Sequence, residues 1–330
     1  MKYGFLADTG VMVSSLALGT MSFGGDADED TSRAIFARCR EAGINVFDCA
    51  NVYENGRSEE ILGELVADCR DEVLLTSKVY YPTDDDPNAQ GASRRHIRQA
   101  VEASLMRLRT DRIDLYFIHH FDERTSLEET LRAFDDLVHA GKILYTAASN
   151  FAAWQVEKAL GISALQGLAR FKAIQPMYNL VKRQAEVEIL PMAEAENLAV
   201  FPYSPLGGGL LTGKYGPCTR PESGRLVENA MYQARYGEEW IYDTAQRFTE
   251  FARQRGWEPA ALGVAWVAAH PAVTAPLIGA RNLEQLEGSL DALEIDMTPE
   301  LRAEISVLSP EPPPATDRVD ERSGDGMPAR

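Results

Sequence analysis

Residues 113–147 read IDLYFIHHFDERTSLEETLRAFDDLVHAGKILYTA, and this stretch contains the pattern that decides the fold. It opens with a run of apolar residues, Ile113–Ile118, that is typical of a strand buried on both faces of a parallel sheet. Ser126 and Gly141 then bracket an amphipathic segment, as the N-cap and the stop signal of a helix. A second apolar run follows at 143–147, so the stretch predicts a strand–helix–strand unit.

The same alternation of short apolar runs and longer amphipathic segments extends along most of the chain. The short runs are Leu16–Leu18, Asn45–Phe47, Val73–Thr76, Ile113–Ile118, Ile143–Ala147, Ala173–Ile174, Ala199–Pro202 and Val273–Ile278. Strand followed by helix, repeated in this way, predicts a (β/α)8 TIM barrel of the α/β class. An open doubly wound sheet is the alternative, but its G-x-G-x-x-G turn does not follow the first strand.

The two ends of the chain add a hairpin and a tail to this barrel. Lys2–Leu6 and Val11–Val13 flank Asp8-Thr9-Gly10, which predicts a β-hairpin that closes the bottom of the barrel. The last residues are rich in proline and mixed charge, which indicates an extended or flexible tail. We therefore expect one barrel domain over residues 1–308 and a proline-rich tail over residues 309–330.

The composition is that of a globular protein and restricts its partners. Of the 330 residues, 45% are hydrophobic and 25% are charged, with a net charge of −17. Such an acidic chain repels phosphate backbones, so nucleic acid is not an expected partner. No apolar run reaches the roughly 18 residues of a membrane span, and no signal-peptide pattern opens the chain, so we expect a cytoplasmic protein. The cysteines have no metal-ligand spacing, so no metal is expected, and the sequence leaves open whether the chain forms a homo-oligomer.

Polar residues follow almost every predicted strand. They are Gly19-Thr20, Asp48, Lys78, His119, Ser149-Asn150, Gln175, Tyr203-Ser204 and Gly279-Ala280-Arg281. In a TIM barrel the carboxyl ends of all the strands meet at one mouth, which is where active sites lie. The sequence therefore predicts that these side chains surround one shared site.

Several of these residues belong to longer motifs that resemble those of the aldo-keto reductase family. The motifs are Gly43–Asp48 with Tyr53, Thr76-Ser77-Lys78, Ile113–His119, Ser149-Asn150, Gln175, Tyr203–Leu206, Leu211–Tyr215 and Gly279-Ala280-Arg281. The likeness extends from about Tyr3 to Ser289, and it is greatest to the branch that contains bacterial reductases and potassium-channel β subunits. The chain departs from the pattern at Gly288-Ser289, where relatives often carry Glu-Asn, and this removes two adenine contacts.

Asp48, Tyr53, Lys78 and His119 form a catalytic set that suits carbonyl reduction. The hydride must come from a cofactor, because no side chain supplies one. Tyr53 can donate the proton, and a nearby Lys78 cation would lower the pKa of its phenol from about 10. Asp48 would hold Lys78 by a buried ion pair, and His119, rather than His120, would orient the carbonyl oxygen. The resemblance implies these same roles.

The resemblance also implies a nicotinamide dinucleotide site at the same mouth. Arg281 lies at the start of a short helix, where the macrodipole disfavours a cation unless an anion binds there. The 2′-phosphate of NADP suits this position, so we expect NADPH as the preferred cofactor, with NADH as the alternative. The predicted cofactor-binding residues are Gly19, Thr20, Met21, Asp48, Ser149, Asn150, Gln175, Tyr203, Ser204, Pro205, Leu206, Gly207, Gly208, Lys214, Arg225, Gly279, Arg281, Gln285 and Ser289.

The substrate pocket is predicted above the nicotinamide. Its candidate walls are Met21, Phe23, Tyr80, Tyr81, Phe121 and the residues around Met231–Tyr236. An aromatic rim with few charges favours a small-molecule aldehyde or ketone that is not strongly anionic. Two other functions stay open: an NAD(P)-binding regulatory subunit like the channel β proteins, and an NAD-linked dehydrogenase that oxidises a sugar or alcohol. Those β subunits lack the histidine that this chain keeps at His119, which favours the reductase.

Overall fold

Ten strands and twelve α-helices form the part of the chain that the computed structural model describes, residues 1–318. The strands are β1 Tyr3–Phe5, β2 Met12–Ser14, β3 Ala17–Gly19, β4 Val46–Asp48, β5 Leu74–Val79, β6 Ile113–Ile118, β7 Ile143–Ser149, β8 Phe171–Gln175, β9 Ala199–Val200 and β10 Leu277–Ile278. The helices are α1 Glu29–Glu41, α2 Arg57–Val66, α3 Arg94–Leu108, α4 Leu127–His139, α5 Ala153–Gln166, α6 Ile189–Ala195, α7 Arg225–Glu228, α8 Ala230–Arg235, α9 Glu239–Gln254, α10 Pro259–Ala268, α11 Leu283–Leu290 and α12 Pro299–Ser306. Within these described residues, no helix is both long enough and apolar enough to cross a membrane.

Strands β3 to β10 form one parallel sheet in the order β10-β3-β4-β5-β6-β7-β8-β9. The two ends of this sheet meet, because the amide of Thr274 donates to the carbonyl oxygen of Val200 and the amide of Leu277 donates to that of Pro202, both over 2.9 Å. The sheet is therefore a closed barrel, and the predicted (β/α)8 fold is confirmed. The doubly wound alternative is excluded, because it requires a sheet with open edges.

Side chains on the barrel strands alternate between the inside and the outside of the barrel. The interior positions form their own apolar cluster, which includes Ala17, Val46, Leu115, Phe117, Ala147, Ala173, Ala199, Phe201, Ala275 and Leu277. Two residues further along each strand, the next inward positions belong to Gly19, Asp48, His119, Ser149, Gln175, Tyr203 and Gly279. The same two-residue alternation therefore places apolar side chains inside the barrel and mostly polar side chains at its mouth.

The N-terminal hairpin closes the barrel beside the amino ends of its strands. β1 and β2 pair in antiparallel fashion, with Tyr3 opposite Ser14. The amide of Ser14 donates to Oδ1 of Asn45, just before β4, over 2.8 Å. Leu6 and Val13 are fully buried and pack into the interior cluster. The predicted hairpin is present, and its apolar side chains fill the end of the barrel.

The short helices α7, α8 and α12 were not predicted by the hydrophobic pattern. α7 and α8 have four and six residues, which are too few to show a helical period. Asn229 caps α8, because its Oδ1 accepts a hydrogen bond from the amide of Met231 over 3.0 Å. After α12, the chain has no further helix or strand up to residue 318. The rest of the predicted tail lies outside the described residues, so the domain boundary at residue 308 stays a prediction.

We expect Leu6→Ala to lower the free energy of unfolding by about 2–5 kcal/mol, because it leaves a cavity at the closed end of the barrel. Phe5→Ala removes a neighbouring side chain that is 62% exposed. That change should alter the free energy of unfolding by less than about 0.5 kcal/mol. Urea unfolding of both variants measures the difference, and equal stabilities would contradict a packing role for the hairpin.

Candidate active site

A cavity of 1190 Å³ opens at the carboxyl ends of the barrel strands. Its walls include most of the residues that the sequence assigns to the site: Gly19, Met21, Asp48, Tyr53, His119, Ser149, Asn150, Gln175, Tyr203, Ser204, Pro205, Leu206, Gly208, Lys214, Arg225, Gly279, Arg281, Gln285 and Ser289. Residues more than 200 positions apart in the sequence therefore meet at one mouth.

Lys78 and Asp48 form a buried ion pair at this mouth. Nζ of Lys78 lies 2.5 Å from Oδ2 of Asp48 and donates a second hydrogen bond to the carbonyl oxygen of Cys49 over 2.8 Å. The side chain of Lys78 is fully buried, and that of Asp48 is 3% exposed. Burial opposes the charged amine, but Asp48 and Tyr53 outweigh it, so the pKa of Lys78 lies above its usual value. Lys78 therefore remains a cation at neutral pH.

The second carboxylate oxygen of Asp48 is held by two further side chains. Oδ1 of Asp48 accepts hydrogen bonds from Oγ1 of Thr76 over 2.6 Å and from Nε2 of Gln175 over 2.9 Å. The sequence assigns Gln175 to the cofactor, and the structure gives it the additional task of fixing the carboxylate. Thr76 lies in the same motif as Lys78, and it acts as a positioning residue that the sequence did not single out.

The phenol of Tyr53 contacts this ion pair. Nζ of Lys78 lies 3.4 Å from Oη of Tyr53 and 5.1 Å from the centroid of its ring. Burial raises the pKa of Tyr53 to about 12, and the charge of Lys78 acts against this rise without overcoming it. The expectation of a lowered phenol pKa is therefore wrong, because desolvation outweighs the neighbouring cation. The phenol keeps its proton at neutral pH, as a general acid must.

His119 follows β6 and lies edge-on to two tyrosines. The centroid of its ring lies 6.1 Å from that of Tyr53 and 4.9 Å from that of Tyr81. Burial, together with the nearby charges of Lys78 and His120, holds the pKa of His119 well below its usual value. The imidazole is therefore neutral at physiological pH. A neutral imidazole has one N–H donor, which His119 can direct to a substrate oxygen.

Ser149, Asn150 and Tyr203 form a hydrogen-bonded group beside the catalytic set. Oη of Tyr203 donates to Oδ1 of Asn150 over 2.7 Å, and Nδ2 of Asn150 donates to the carbonyl oxygen of His119 over 3.0 Å. The hydroxyl of Ser149 donates to the carbonyl oxygen of Gln175 over 2.9 Å. These bonds fix three side chains that the sequence assigns to the cofactor.

Three cations come together elsewhere in the cavity wall. Lys214, Arg225 and Arg281 all line the cavity, and burial, with the charges of Arg281 and Arg225, lowers the pKa of Lys214. Nε of Arg281 lies 2.9 Å from Oδ2 of Asp26, whereas Lys214 and Arg225 form no ion pair within residues 1–318. Such a positive cluster in a chain of net charge −17 fits the phosphates of a nicotinamide dinucleotide.

A glycine turn connects the strand end at Tyr203 with these cations. Gly207 and Gly208 have φ values of +59° and +69°, in the left-handed region that favours glycine. A Cβ on Gly208 would lie 2.7 Å from the ring of Tyr232 in α8. Because Gly208 has no side chain, Tyr232 packs directly against the backbone of the turn. Gly208 lines the cavity, and Gly207 lies just behind its wall.

Thr20 lies behind the cavity wall, where it supports Asp48. It is fully buried, and its hydroxyl donates to the backbone carbonyl oxygen of Asp48 over 3.0 Å. The amide of Thr20 donates to the same oxygen over 2.9 Å. The structure therefore places Thr20 next to the catalytic set, in a position that holds β4 rather than one that faces the cavity.

Three of the side chains predicted for the substrate pocket, Phe23, Tyr80 and Phe121, do not line the cavity. Phe23 is fully buried in the main apolar core. The ring of Tyr80 packs against that of Tyr81 with centroids 5.2 Å apart, and the ring of Phe121 packs against that of Trp154 at 5.9 Å. Several of the other predicted walls do line the cavity, namely Met21, Tyr81, Met231, Tyr232 and Arg235, together with Val52 and His120.

Comparison with known proteins agrees with this geometry. The sequence pattern of the aldo/keto reductase family matches residues 15–309. The chain belongs to the aldo/keto reductase family. A protein named an uncharacterized oxidoreductase, YrpG of Bacillus subtilis (strain 168), is 38% identical over 328 residues that cover 94% of this chain and 97% of the relative.

Two further relatives show the range of names within the family. A probable voltage-gated potassium channel subunit beta of Oryza sativa subsp. japonica is 33% identical, over 96% of this chain and 99% of the relative. The norsolorinic acid reductase stcV of Emericella nidulans is 35% identical, over 91% of this chain and 79% of the relative.

This aldo/keto reductase is an NAD(P)H-dependent oxidoreductase that acts on a small-molecule substrate. The cavity fits such a cofactor, because a cluster of cations lines one part of it, and a buried acid–base set and hydrogen-bonding amides lie at another. Within residues 1–318, no group of three or more histidine, cysteine or acidic side chains could hold a metal ion.

We expect kcat/KM for carbonyl reduction to show no loss from ionisation of Tyr53 between about pH 6 and pH 9. The protonated phenol is present below its pKa of about 12 and is lost only as the pH rises through that value. Steady-state rates across this range at constant ionic strength measure the profile. An alkaline decline centred near about pH 8 would contradict the protonation state assigned to Tyr53.

Proposed function

We propose that this protein reduces an aldehyde or ketone to the corresponding alcohol, with NADPH as its preferred cofactor. The observation that carries the proposal is the 3.4 Å contact of Lys78 Nζ with Tyr53 Oη, beside the ion pair of Lys78 with Asp48. A phenol that keeps its proton next to a buried cation can protonate a substrate oxygen and then carry negative charge.

The side chains of this protein would control the oxygen of the reacting carbonyl. A bound nicotinamide supplies a hydride to the carbonyl carbon. His119 would donate a hydrogen bond that orients the carbonyl oxygen, and Tyr53 would transfer its proton to that oxygen as negative charge develops there. Lys78 would stabilise the phenolate that Tyr53 becomes. The same groups acting in reverse would oxidise an alcohol, so the reaction is reversible.

The preference for NADPH over NADH is supported by the cations away from the catalytic set. Lys214 and Arg225 have no ion pair within residues 1–318. Arg281 shares its charge with Asp26, which is half exposed and which a phosphate could replace. These three cations suit the additional phosphate of NADPH. Ser149 and Asn150 would serve the nicotinamide of either cofactor, so NADH remains a usable alternative.

The relatives named as channel subunits favour a second candidate, an NAD(P)H-binding subunit in which turnover is secondary. The complete set of Asp48, Tyr53, Lys78 and His119 supports the reductase instead. An NAD-linked dehydrogenase of a sugar or alcohol would be the same chemistry run in reverse. A panel of carbonyls and alcohols with reduced and oxidised cofactors separates these functions. Tight NADPH binding without any turnover would favour the subunit.

We expect Tyr53→Phe to lower kcat by about 10²–10⁴-fold, because the substrate oxygen loses its proton donor. The Kd of NADPH, measured by fluorescence, should change less than about threefold, since the phenol is not needed for binding. Tyr3→Phe, which removes a hydroxyl from the hairpin at the closed end of the barrel, should retain full activity. Equal kcat for Tyr53→Phe and the natural protein would exclude Tyr53 as the acid.

We expect Arg281→Ala to raise the Kd of NADPH about tenfold, equivalent to about 1.4 kcal/mol, and that of NADH less than about twofold. Asp26→Asn is the matched control, because it breaks the same ion pair but keeps the cation. Its affinity for NADPH should not fall. Isothermal titration measures all the affinities, and an unchanged NADPH preference in Arg281→Ala would contradict the assignment.

A further inference from the structure

Arg235 is a cavity cation that the chemistry described so far does not use. It is the last residue of α8, it is partly buried, and it lines the cavity. Within residues 1–318 it forms no ion pair with a carboxylate. Its guanidinium carbon lies 5.3 Å from the centroid of the Tyr232 ring. By contrast, the buried cation of the catalytic set, Lys78, is paired with Asp48.

Tyr236, the residue after Arg235, connects the end of α8 to the chain that follows β9 and includes Tyr203. Nδ2 of Asn179 donates to Oη of Tyr236 over 3.2 Å and to the carbonyl oxygen of Ser204 over 2.9 Å. Burial raises the pKa of Tyr203 to about 12, and the charge of Arg235 is the largest influence that opposes this rise. Arg235 therefore lies near the part of the cavity that holds the catalytic set.

Arg225 and Arg235 both belong to the α7–α8 segment and lie beside the same ring, but their other neighbours in the cavity differ. Their guanidinium carbons lie 5.7 Å and 5.3 Å from the centroid of the same ring, that of Tyr232. Arg225 acts electrostatically on Lys214, whereas Arg235 acts on Tyr203. Within residues 1–318 neither arginine has an ion pair; the phosphates of a dinucleotide would account for the charge of Arg225, but they leave that of Arg235 unexplained.

We propose that Arg235 binds an anionic group of the substrate, so that this protein prefers carbonyl compounds that carry a carboxylate or a phosphate. The inference rests on the proposed carbonyl reduction and specifies its substrate class. A guanidinium binds either oxyanion through two parallel N–H···O hydrogen bonds, and partial removal from water strengthens that attraction. From the aromatic rim, the sequence predicts a substrate without strong negative charge. The proposal for Arg235 replaces that expectation.

Matched substrate pairs and one substitution test this proposal. The pairs are para-carboxybenzaldehyde with its methyl ester, and glyceraldehyde phosphate with glyceraldehyde. In Arg235→Gln, we expect kcat/KM for at least one anionic member to fall about tenfold or more, mainly through KM, and that of its neutral partner to change less than about twofold. The pair that responds shows whether the anion is a carboxylate or a phosphate. Arg247→Gln makes the same charge change on an exposed face of α9 and should leave both pairs unaffected.

Binding measurements separate this proposal from the proposed function. Quenching of intrinsic tryptophan fluorescence by each aldehyde in the presence of NADP⁺, which has no hydride to give, reports affinity without turnover, and the natural protein should bind the anionic members more tightly than Arg235→Gln does. Equal effects of Arg235→Gln on charged and neutral compounds would overturn the proposal. So would a weaker NADPH affinity with unchanged KM for the anions, because Arg235 would then belong to the cofactor site. No turnover with any carbonyl, despite charge-dependent binding, would contradict only the proposed reductase activity.

Discussion

The ion pair between Lys78 and Asp48 is the interaction on which the site depends. Removing a carboxylate and an amine from water costs several kcal/mol for each ion, which only close and complete pairing offsets. Here Asp48 accepts hydrogen bonds from Lys78, Thr76 and Gln175, so both of its oxygens are satisfied. The barrel makes this possible, because the register pairs Asp48 with Thr76 on the adjacent strand and brings Gln175 across from β8. The partners of Asp48 therefore come together only in the closed barrel.

Burial also determines the protonation of Tyr53 and His119, the two neighbours of the ion pair. Desolvation is the largest influence on both Tyr53 and His119, and it favours the neutral form of each. Lys78 adds to this effect at the imidazole and opposes it at the phenol. The phenol thus begins with a proton to give, and the imidazole begins as a neutral hydrogen-bond donor. The reduction of a carbonyl needs both of these states at the same pH.

The catalytic positions could be predicted from the sequence because each follows an apolar strand whose two-residue period continues to the mouth. Asp48 and His119 are examples, since Val46 and Phe117 precede them on the interior face. The hydrogen bond from Gln175 to Asp48 has no local signal, because it joins strands on different sides of the barrel. The predicted direction of the pKa change at Tyr53 was wrong because the sequence does not show whether burial or a neighbouring charge has the larger effect.

The substrate end of the cavity could be predicted only in part, as a set of candidate walls that includes the segment 231–236. Helices α7 and α8 are short segments inside a long connection, and their placement depends on packing of Tyr232 on Gly208. Arg235 therefore enters the cavity from a region without a helical period, whereas Arg281 follows a strand and could be assigned from its position. Residues on regular elements could be assigned one by one, whereas on the irregular connection the sequence predicted only the segment, and the structure was needed to single out Arg235.

The phenol of Tyr53 offers the most direct test of the role given to the buried cation. Rapid alkaline pH jumps, read by phenolate absorbance before unfolding and corrected with Tyr53→Phe, measure its ionisation in the natural protein and in Lys78→Met. We expect less phenolate at a given alkaline pH in Lys78→Met, because burial remains while the stabilising charge is gone. An equal or larger phenolate signal in Lys78→Met would contradict the claim that Lys78 stabilises the ionised phenol.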